Sequence, residues 1–401
     1  MRRARGSWQW LLAIFTLASV LEVVFFGQLS AFLPLYLPRL GVSEADVPAW
    51  LARILALAGL VGLLFLPFWG ALADRYSRKP VIVRSFVVHL VAGSVMALAP
   101  NVWVFGLGYV LTALAFGNTG LMTATLAERT PVGRTAFAIT TMNSAGPIGA
   151  FVGPLVGGPV YDRFGLPALL LIDVGVMLAV IALLALGYDD RYEPRRDRTL
   201  LAMALEGPAL LVRSRRLRVL FPALFVVIAG WMAVFAFMPL AVTALYRGDA
   251  PGTAVGLVSG AAGLAALAAG PVVGGLADRV GQWRVLFASL AATALLFPLP
   301  ALAPDLLTFG ILWTVVTGIR SGSFGLSFAI MAASADVAHR GRVMSFAYLP
   351  LNVGVVVGSA LGGLAASANV FLVFPLAAAL TLAGLPLLRI AQGQPVLRAN
   401  E

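Results

Sequence analysis

Four ionisable residues interrupt long apolar runs of this 401-residue chain: Glu22, His89, Asp173 and Arg320. A charge at the centre of a membrane-crossing segment costs about 3 kcal/mol on insertion scales, so such residues mark pathways and sites. Glu22 stands midway between Arg5 and Arg39, which bracket its run. On a helix it shares a face with Phe15, Ser19, Phe26, Leu29, Leu33 and Tyr36. One carboxyl group on an apolar, aromatic wall can hold a proton or a cationic lipophile, but not both. That exclusion can couple the movement of one to the movement of the other. Arg320 stands midway between Asp305 and Asp336. It could exchange partners with Glu22, clamp an anionic substrate, or bond to backbone carbonyls. His89 and Asp173 are expected to form a structural pair, with a proton relay as the alternative use.

The elements that position these groups follow from composition. The chain is 60% hydrophobic and 11% charged. Twelve apolar stretches run over roughly 8–37, 47–69, 81–99, 102–126, 135–160, 166–187, 219–246, 252–275, 284–303, 306–332, 343–367 and 369–390. At ~1.5 Å per residue most are long enough for a hydrocarbon core of ~30 Å. Barrel strands would alternate over about ten residues, so the spans are helices and the lipid bilayer is the partner they imply. The expected fold is an all-α membrane protein of twelve transmembrane helices.

A net charge of +11 suggests nucleic acid at first sight. Its distribution argues for topology instead. With an intracellular N-terminus, only Arg39, Arg53, Arg163 and Arg247 fall on the outer side, Arg320 lies within a span, and every other Arg and the single Lys79 fall inside. This asymmetry predicts both termini in the cytoplasm. Arg2, Arg3 and Arg5 precede an apolar run too long for a signal peptide, which reads as an uncleaved first span. The excess of Arg over Lys suggests a prokaryotic inner membrane. With no Cys, only His89 and His339 as histidines, and no carboxylate cluster, an enzyme is not expected, and neither is a metal or any cofactor beyond a proton as coupling ion.

The chain repeats itself at half its length. Gly70, Asp74, Arg75, Arg78 and Lys79 lie in a short loop between spans 2 and 3, and Gly274, Asp278, Arg279 and Arg284 recur between spans 8 and 9. Pro34 matches Pro239, Pro67 matches Pro271, and Gly117 and Gly120 match Gly322 and Gly325. Gly149, Gly153, Gly157 and Gly158 in span 5 match Gly354, Gly358, Gly362 and Gly363 in span 11. Every offset is 204 or 205 residues. The expected organisation is a six-helix bundle over 1–187, a cytoplasmic linker over 188–218, and a second six-helix bundle over 219–401. The linker is rich in Arg and suits a short helix at anionic headgroups, or a solvated tether.

These features resemble the major facilitator superfamily, and the likeness covers nearly the whole chain. The doubled loop resembles that superfamily's signature between spans 2 and 3. The run Gly149, Gly153, Pro154, Gly157, Gly158 resembles the antiporter motif of its twelve-span drug:proton antiporters. The resemblance implies two pseudo-symmetric bundles and a cavity lined by spans 1, 4, 7 and 10, with Glu22 and Arg320 in one chamber. The cavity wall would draw on Phe26, Tyr36, Trp231, Phe235, Phe324 and Phe328.

Each motif also has its own physics. Asp74 is expected to accept from a helix N-terminus, that of span 11, while Arg75 and Arg78 reach Glu128. Together they would form a latch on the cytoplasmic side. The span 5 glycines at spacing four suit close packing at a sliding interface between halves, and Pro154 favours a bend. Drug antiporters of the family usually carry an Arg in span 4, but none lies between Trp103 and Ala127. Either Arg320 takes that role, or proton coupling differs or is missing.

The expected activity is proton-coupled export of small hydrophobic, cationic compounds by a monomer that alternates access. The alternatives are a transporter of an anionic metabolite or lipid centred on Arg320, and a receptor on the same fold that binds without flux.

Overall fold

The computed structural model describes residues 7–75, 77–115, 117–190, 213–335 and 348–396, together with Val343, and leaves aside the side chains of 66, 67, 70, 71, 73, 74 and 136. The first half holds α1 (Trp8–Tyr36), α2 (Val47–Arg75), α3 (Arg78–Ala97), α4 (Val102–Leu111), α5 (Asn118–Arg129), α6 (Thr135–Asn143) and α7 (Ala145–Gly187). The second holds α8 (Arg215–Phe235), α9 (Met238–Leu245), α10 (Pro251–Val280), α11 (Gln282–Leu296), α12 (Leu306–Ala333), α13 (Leu349–Ala368) and α14 (Val373–Gln392). The interfacial helix expected in the linker would fall on 191–212, outside the described residues.

Eleven described segments are long and apolar enough to cross a bilayer. One of them, Val132–Gly187, runs for 56 residues. At ~1.5 Å per residue that is about 84 Å, far too long for one crossing. Gly165 divides it: with φ 77° and ψ 173° it turns α7 back on itself, in backbone space that glycine enters without the steric cost of a Cβ. Spans 5 and 6 are therefore the two arms of one kinked helix, which restores the count of twelve. Span 4 is broken too. A 3-10 turn over Thr112–Ala115 ends its first part, and Gly117, at φ 102°, starts α5. Span 7 is α8 followed by α9, whose second residue is Pro239.

Within the first half, α7 packs on α1 and α3; within the second, α8 packs on α13 and α14, and α10 on α12. The halves meet at two repeat-related seams, α7 with α10 and α2 with α13. Glycine sets the distance at both. A Cβ added at Gly158 would lie 2.6 Å from the Gly252 carbonyl oxygen, and one at Gly263 would lie 2.7 Å from the Phe151 nitrogen. At the other seam a Cβ at Gly59 would lie 2.7 Å from Val356, and one at Gly363 would run into Ala52. The α7–α10 contacts belong to the face of the protein opposite the termini. Toward the terminal face the helices part, and a Cβ at Gly146, Gly270, Gly274 or Gly275 would meet nothing within 4 Å. Along the described α7–α10 seam the helices are thus in contact toward the far face and apart toward the terminal face.

The hinge carries a prediction. Gly165 has room for a methyl group, with the nearest atom 3.4 Å away, but its positive φ disfavours any Cβ. Gly175 also has room and has helical backbone. Gly165→Ala should destabilise the protein by about 1–2 kcal/mol, whereas Gly175→Ala should be neutral or slightly stabilising. Thermal unfolding of the two variants in one detergent checks the contrast.

Candidate functional site

Glu22 is buried in α1, with 7% of its surface accessible. Its Oε2 accepts a hydrogen bond of 2.8 Å from Asn118 Nδ2. Asn118 is the first residue of α5, so the left-handed Gly117 that starts this helix also aims the amide at the carboxyl group. The other oxygen, Oε1, lies 3.7 Å from His89 Nδ1. His89 is fully buried against Phe25, Phe26 and Phe86, and neither ring nitrogen has a hydrogen-bond partner.

The expected His89–Asp173 pair is not what forms. His89 turns to α1 and Glu22, while Asp173 faces Gln28. With the Gln28 amide oriented by its surroundings, its nitrogen donates to both Asp173 oxygens, at 2.7 and 3.2 Å. Although α3 and α7 pack on each other, the His89 ring lies against Phe25, Phe26 and Glu22 of α1, while Asp173 meets Gln28. Asn118 was missed in the sequence; its signal is an amide within an apolar run, directly after a glycine.

In the second half, Arg320 is 8% accessible and its guanidinium stacks over Trp231 at 4.8 Å. Trp231 continues the stack to Trp313 at 5.5 Å and Phe235 at 5.3 Å. No described carboxylate lies within 4 Å of Arg320, so Glu22 and Arg320 are not an ion pair. Phe324 and Phe328, one and two turns along α12 from Arg320, lead to Tyr348. Of the other expected wall residues, Phe26 packs on His89. Tyr36 is buried on Phe105 inside the first bundle rather than at a cavity surface.

The loop motif is partly visible. Arg78 forks onto Glu128, both nitrogens donating at 2.7 Å, a bidentate geometry that favours Arg. Both residues belong to the first half, so this pair joins α3 to α5 and does not itself bridge the bundles. The backbone around Gly70 and the side chain of Asp74 lie outside the described contacts, as does any partner they share with Arg75. Lys79 does something else: its Nζ donates to the Ala185 and Tyr188 carbonyls at the end of α7, at 2.7 Å each. Asp190 returns the arrangement, accepting from Lys79 N at 2.8 Å and Ser77 Oγ at 2.6 Å. Each side chain caps the other's helix end. In the second copy of the motif, Asp278 and Arg279 are exposed.

The antiporter-like glycines divide between two partners. A Cβ at Gly149, Gly153 or Gly157 would meet α1 at 2.6–2.8 Å, and Pro154 Cδ sits 3.3 Å from the same point on Gly27. The face at spacing four is therefore an intra-bundle contact, not the interface between halves. Gly158 alone of the four turns to α10, where Gly252, Gly256, Gly260 and Gly263 form a second small-residue row. The repeat obeys the same division: Gly354, Gly358 and Gly362 pack on α8, and Gly363 on α2.

Asp162, at the far-face end of span 5, seals this seam. Its carboxylate accepts from Gly252 N at 2.7 Å, Thr253 N at 2.7 Å and Thr253 Oγ1 at 2.6 Å. The α10 helix has Ala250 at its N-cap position with no capping side chain of its own, so the cap comes from the opposite bundle. An anion there also meets the positive end of the helix dipole.

Two repeat-related helical bundles that meet at glycine-lined seams, with polar groups buried within them, have the architecture of a membrane transporter. The Major Facilitator Superfamily profile matches residues 12–249 and again 220–399, and the chain belongs to that superfamily. It is 26% identical over 364 residues to multidrug resistance protein MdtG of Citrobacter koseri, covering 89% of this chain and 88% of that protein. It is 30% identical over 302 residues to the MdtG of Serratia proteamaculans, covering 73% and 72%. Its fold matches a D-xylose-proton symporter with a TM-score of 0.72 at 15% identity, over 93% of this chain and 96% of that one.

Removing a helix cap costs about 1 kcal/mol, or about fivefold in an equilibrium. Asp162→Ala should therefore shift the protein toward opening at the far face. The chain has no Cys, so a single thiol at Leu155, which packs against the Gly260 position at 3.2 Å, reports the change. Its labelling by a soluble maleimide should rise about fivefold when Asp162→Ala is added.

Proposed function

We propose that this protein exports hydrophobic compounds from a prokaryotic cell in exchange for protons, by rocking two bundles about a central site. The observation that carries this reading is Glu22, a buried carboxyl group at mid-depth with one oxygen held by Asn118 and the other facing an unpartnered His89. The family membership supports transport, and the names of the relatives support multidrug compounds as the class of cargo.

The distribution of Arg supports an inner-membrane chain with the terminal face in the cytoplasm. In that orientation the α7–α10 seam parts on the cytoplasmic side. Residues 188–218 link the bundles on that side, and one chain suffices. Cargo enters from the cytoplasm or inner leaflet and reaches the Phe324, Phe328 and Tyr348 rings. Glu22 gives up its proton as cargo loads. The Asp162 cap then breaks, the far face opens, and a proton from outside returns to Oε1, the oxygen that Asn118 leaves free. The driving force is adequate: one proton crossing ~100 mV contributes ~2.3 kcal/mol, or almost fifty-fold in concentration.

Dye efflux from energised cells tests this reading, with lipophilic dyes of either charge. Wild type should lower accumulation, an uncoupler should restore it, and Glu22→Gln should abolish efflux at equal expression. Wild-type protein that binds dye but moves none would leave the fold as a receptor. Efflux that survives Glu22→Gln would remove Glu22 from the coupling.

A further inference from the structure

Arg320 is a buried cation whose electrostatic partner is missing among the described residues. Its guanidinium has the face of Trp231 on one side, while Nη1 is buried with no hydrogen-bond partner. Two hydroxyls beside it share that condition. Thr317 Oγ1 and Ser323 Oγ, three residues before and after Arg320 on α12, are buried and unpartnered. Their neighbours behave differently: Ser321 Oγ donates to the Gly318 carbonyl at 2.8 Å and Ser327 Oγ to the Ser323 carbonyl at 2.7 Å. Ser and Thr in helices readily donate to the preceding turn in this way. The two hydroxyls flanking Arg320 do not, and of the described helical Ser and Thr without a partner they are the pair that brackets a buried guanidinium with an unpartnered nitrogen.

Buried polar atoms are nearly always satisfied, and an unpaired buried charge is the most costly exception. Nearby acids do not compensate Arg320. Glu22 is held by Asn118, and Asp305 caps the distant start of α12 through Thr308. We infer that the Arg320, Thr317 and Ser323 cluster binds the oxyanion of the transported compound, so that the cargo is an amphipathic anion such as an aromatic carboxylate. A planar guanidinium fork matches a carboxylate with two parallel hydrogen bonds, and the two hydroxyls supply further donors. The apolar body of the compound has Trp231, Phe235 and Phe324 to lie against. Phe235 and Phe324 sit one turn from Trp231 and Arg320, and each is over a third accessible, which marks the open edge of the site.

This inference narrows the class of cargo within the proposed export and rests on that reading. Binding to purified full-length protein in lipid nanodiscs tests it, using calorimetry and three probes of one shape: 2-naphthoate, 2-naphthamide and 2-naphthylmethylammonium. Wild type should bind naphthoate at least tenfold more tightly than the amide, and the ammonium most weakly. Arg320→Gln should erase the difference between naphthoate and amide, and Arg320→Lys, which keeps the charge but loses the fork, should fall between. The double variant Thr317→Val with Ser323→Ala removes no charge and should weaken naphthoate severalfold while sparing the amide, a readout that stands even if Arg320→Gln fails to fold. Equal binding of acid and amide to wild type would overturn the inference. So would a naphthoate preference that survives Arg320→Gln or is untouched by the double variant. An Arg320-dependent preference without uncoupler-sensitive efflux would sink the export reading and keep the anion site; efflux without the preference would do the reverse.

Discussion

Backbone-to-backbone approach is the constraint on which this protein depends. In lipid, helices gain little from hiding apolar surface from one another, so their association rests on packing and on interhelical hydrogen bonds. Packing at backbone distance demands positions without side chains. Gly149, Gly153 and Gly157 allow it between α7 and α1, and Gly354, Gly358 and Gly362 allow it between α13 and α8. These contacts hold each bundle together. Gly158 and Gly363 then allow it between bundles. One motif thus serves two purposes, and residues side by side in sequence belong to different mechanical units.

The same geometry explains why the polar groups fall where they do. α1 is pressed against α7, packs on α5, and meets the His89 ring of α3 through Phe25 and Phe26. Glu22 and Gln28 therefore face polar groups from three neighbouring helices: Asn118 of α5, His89 of α3 and Asp173 of α7. In the second bundle the matching region of α12 holds a cation on an aromatic stack instead. The repeat conserved the packing and let the chemistry diverge. Ser323 stands where the repeat would put the counterpart of Asn118, and the counterpart of Glu22 is Val227.

Much of this was legible beforehand, because membranes impose strong periodicities. Span number, the repeat offset, the doubled loop and the span 5 motif all follow from apolar length and glycine spacing. Partners were harder to read. His89–Asp173 was a reasonable pairing by depth, but depth fixes one coordinate of three, and rotation of α3 about its axis decided the outcome. Asp162 and Asp190 belong to no motif, and Lys79 stands in the loop motif without a partner specified by it. Each caps a helix end that is distant in sequence, and nothing local shows which end that will be. The second glycine row on α10 was present as small residues at spacing four and went unread because its partner was not known.

The Asp162 cap has a consequence for the medium around the protein. While it is in place, one carboxylate satisfies two backbone N–H groups and a hydroxyl with no solvent between them. Any separation of the seam exposes all of these groups to hydration, so parting it takes up water at this point. The second seam has no such cross-bundle cap among its described contacts: the short turn before α2 is closed locally by Ser43 and Asp46. The two seams therefore respond differently to water activity. Osmolytes excluded from protein surfaces favour buried over hydrated groups, so they strengthen the α7–α10 seam through a single aspartate.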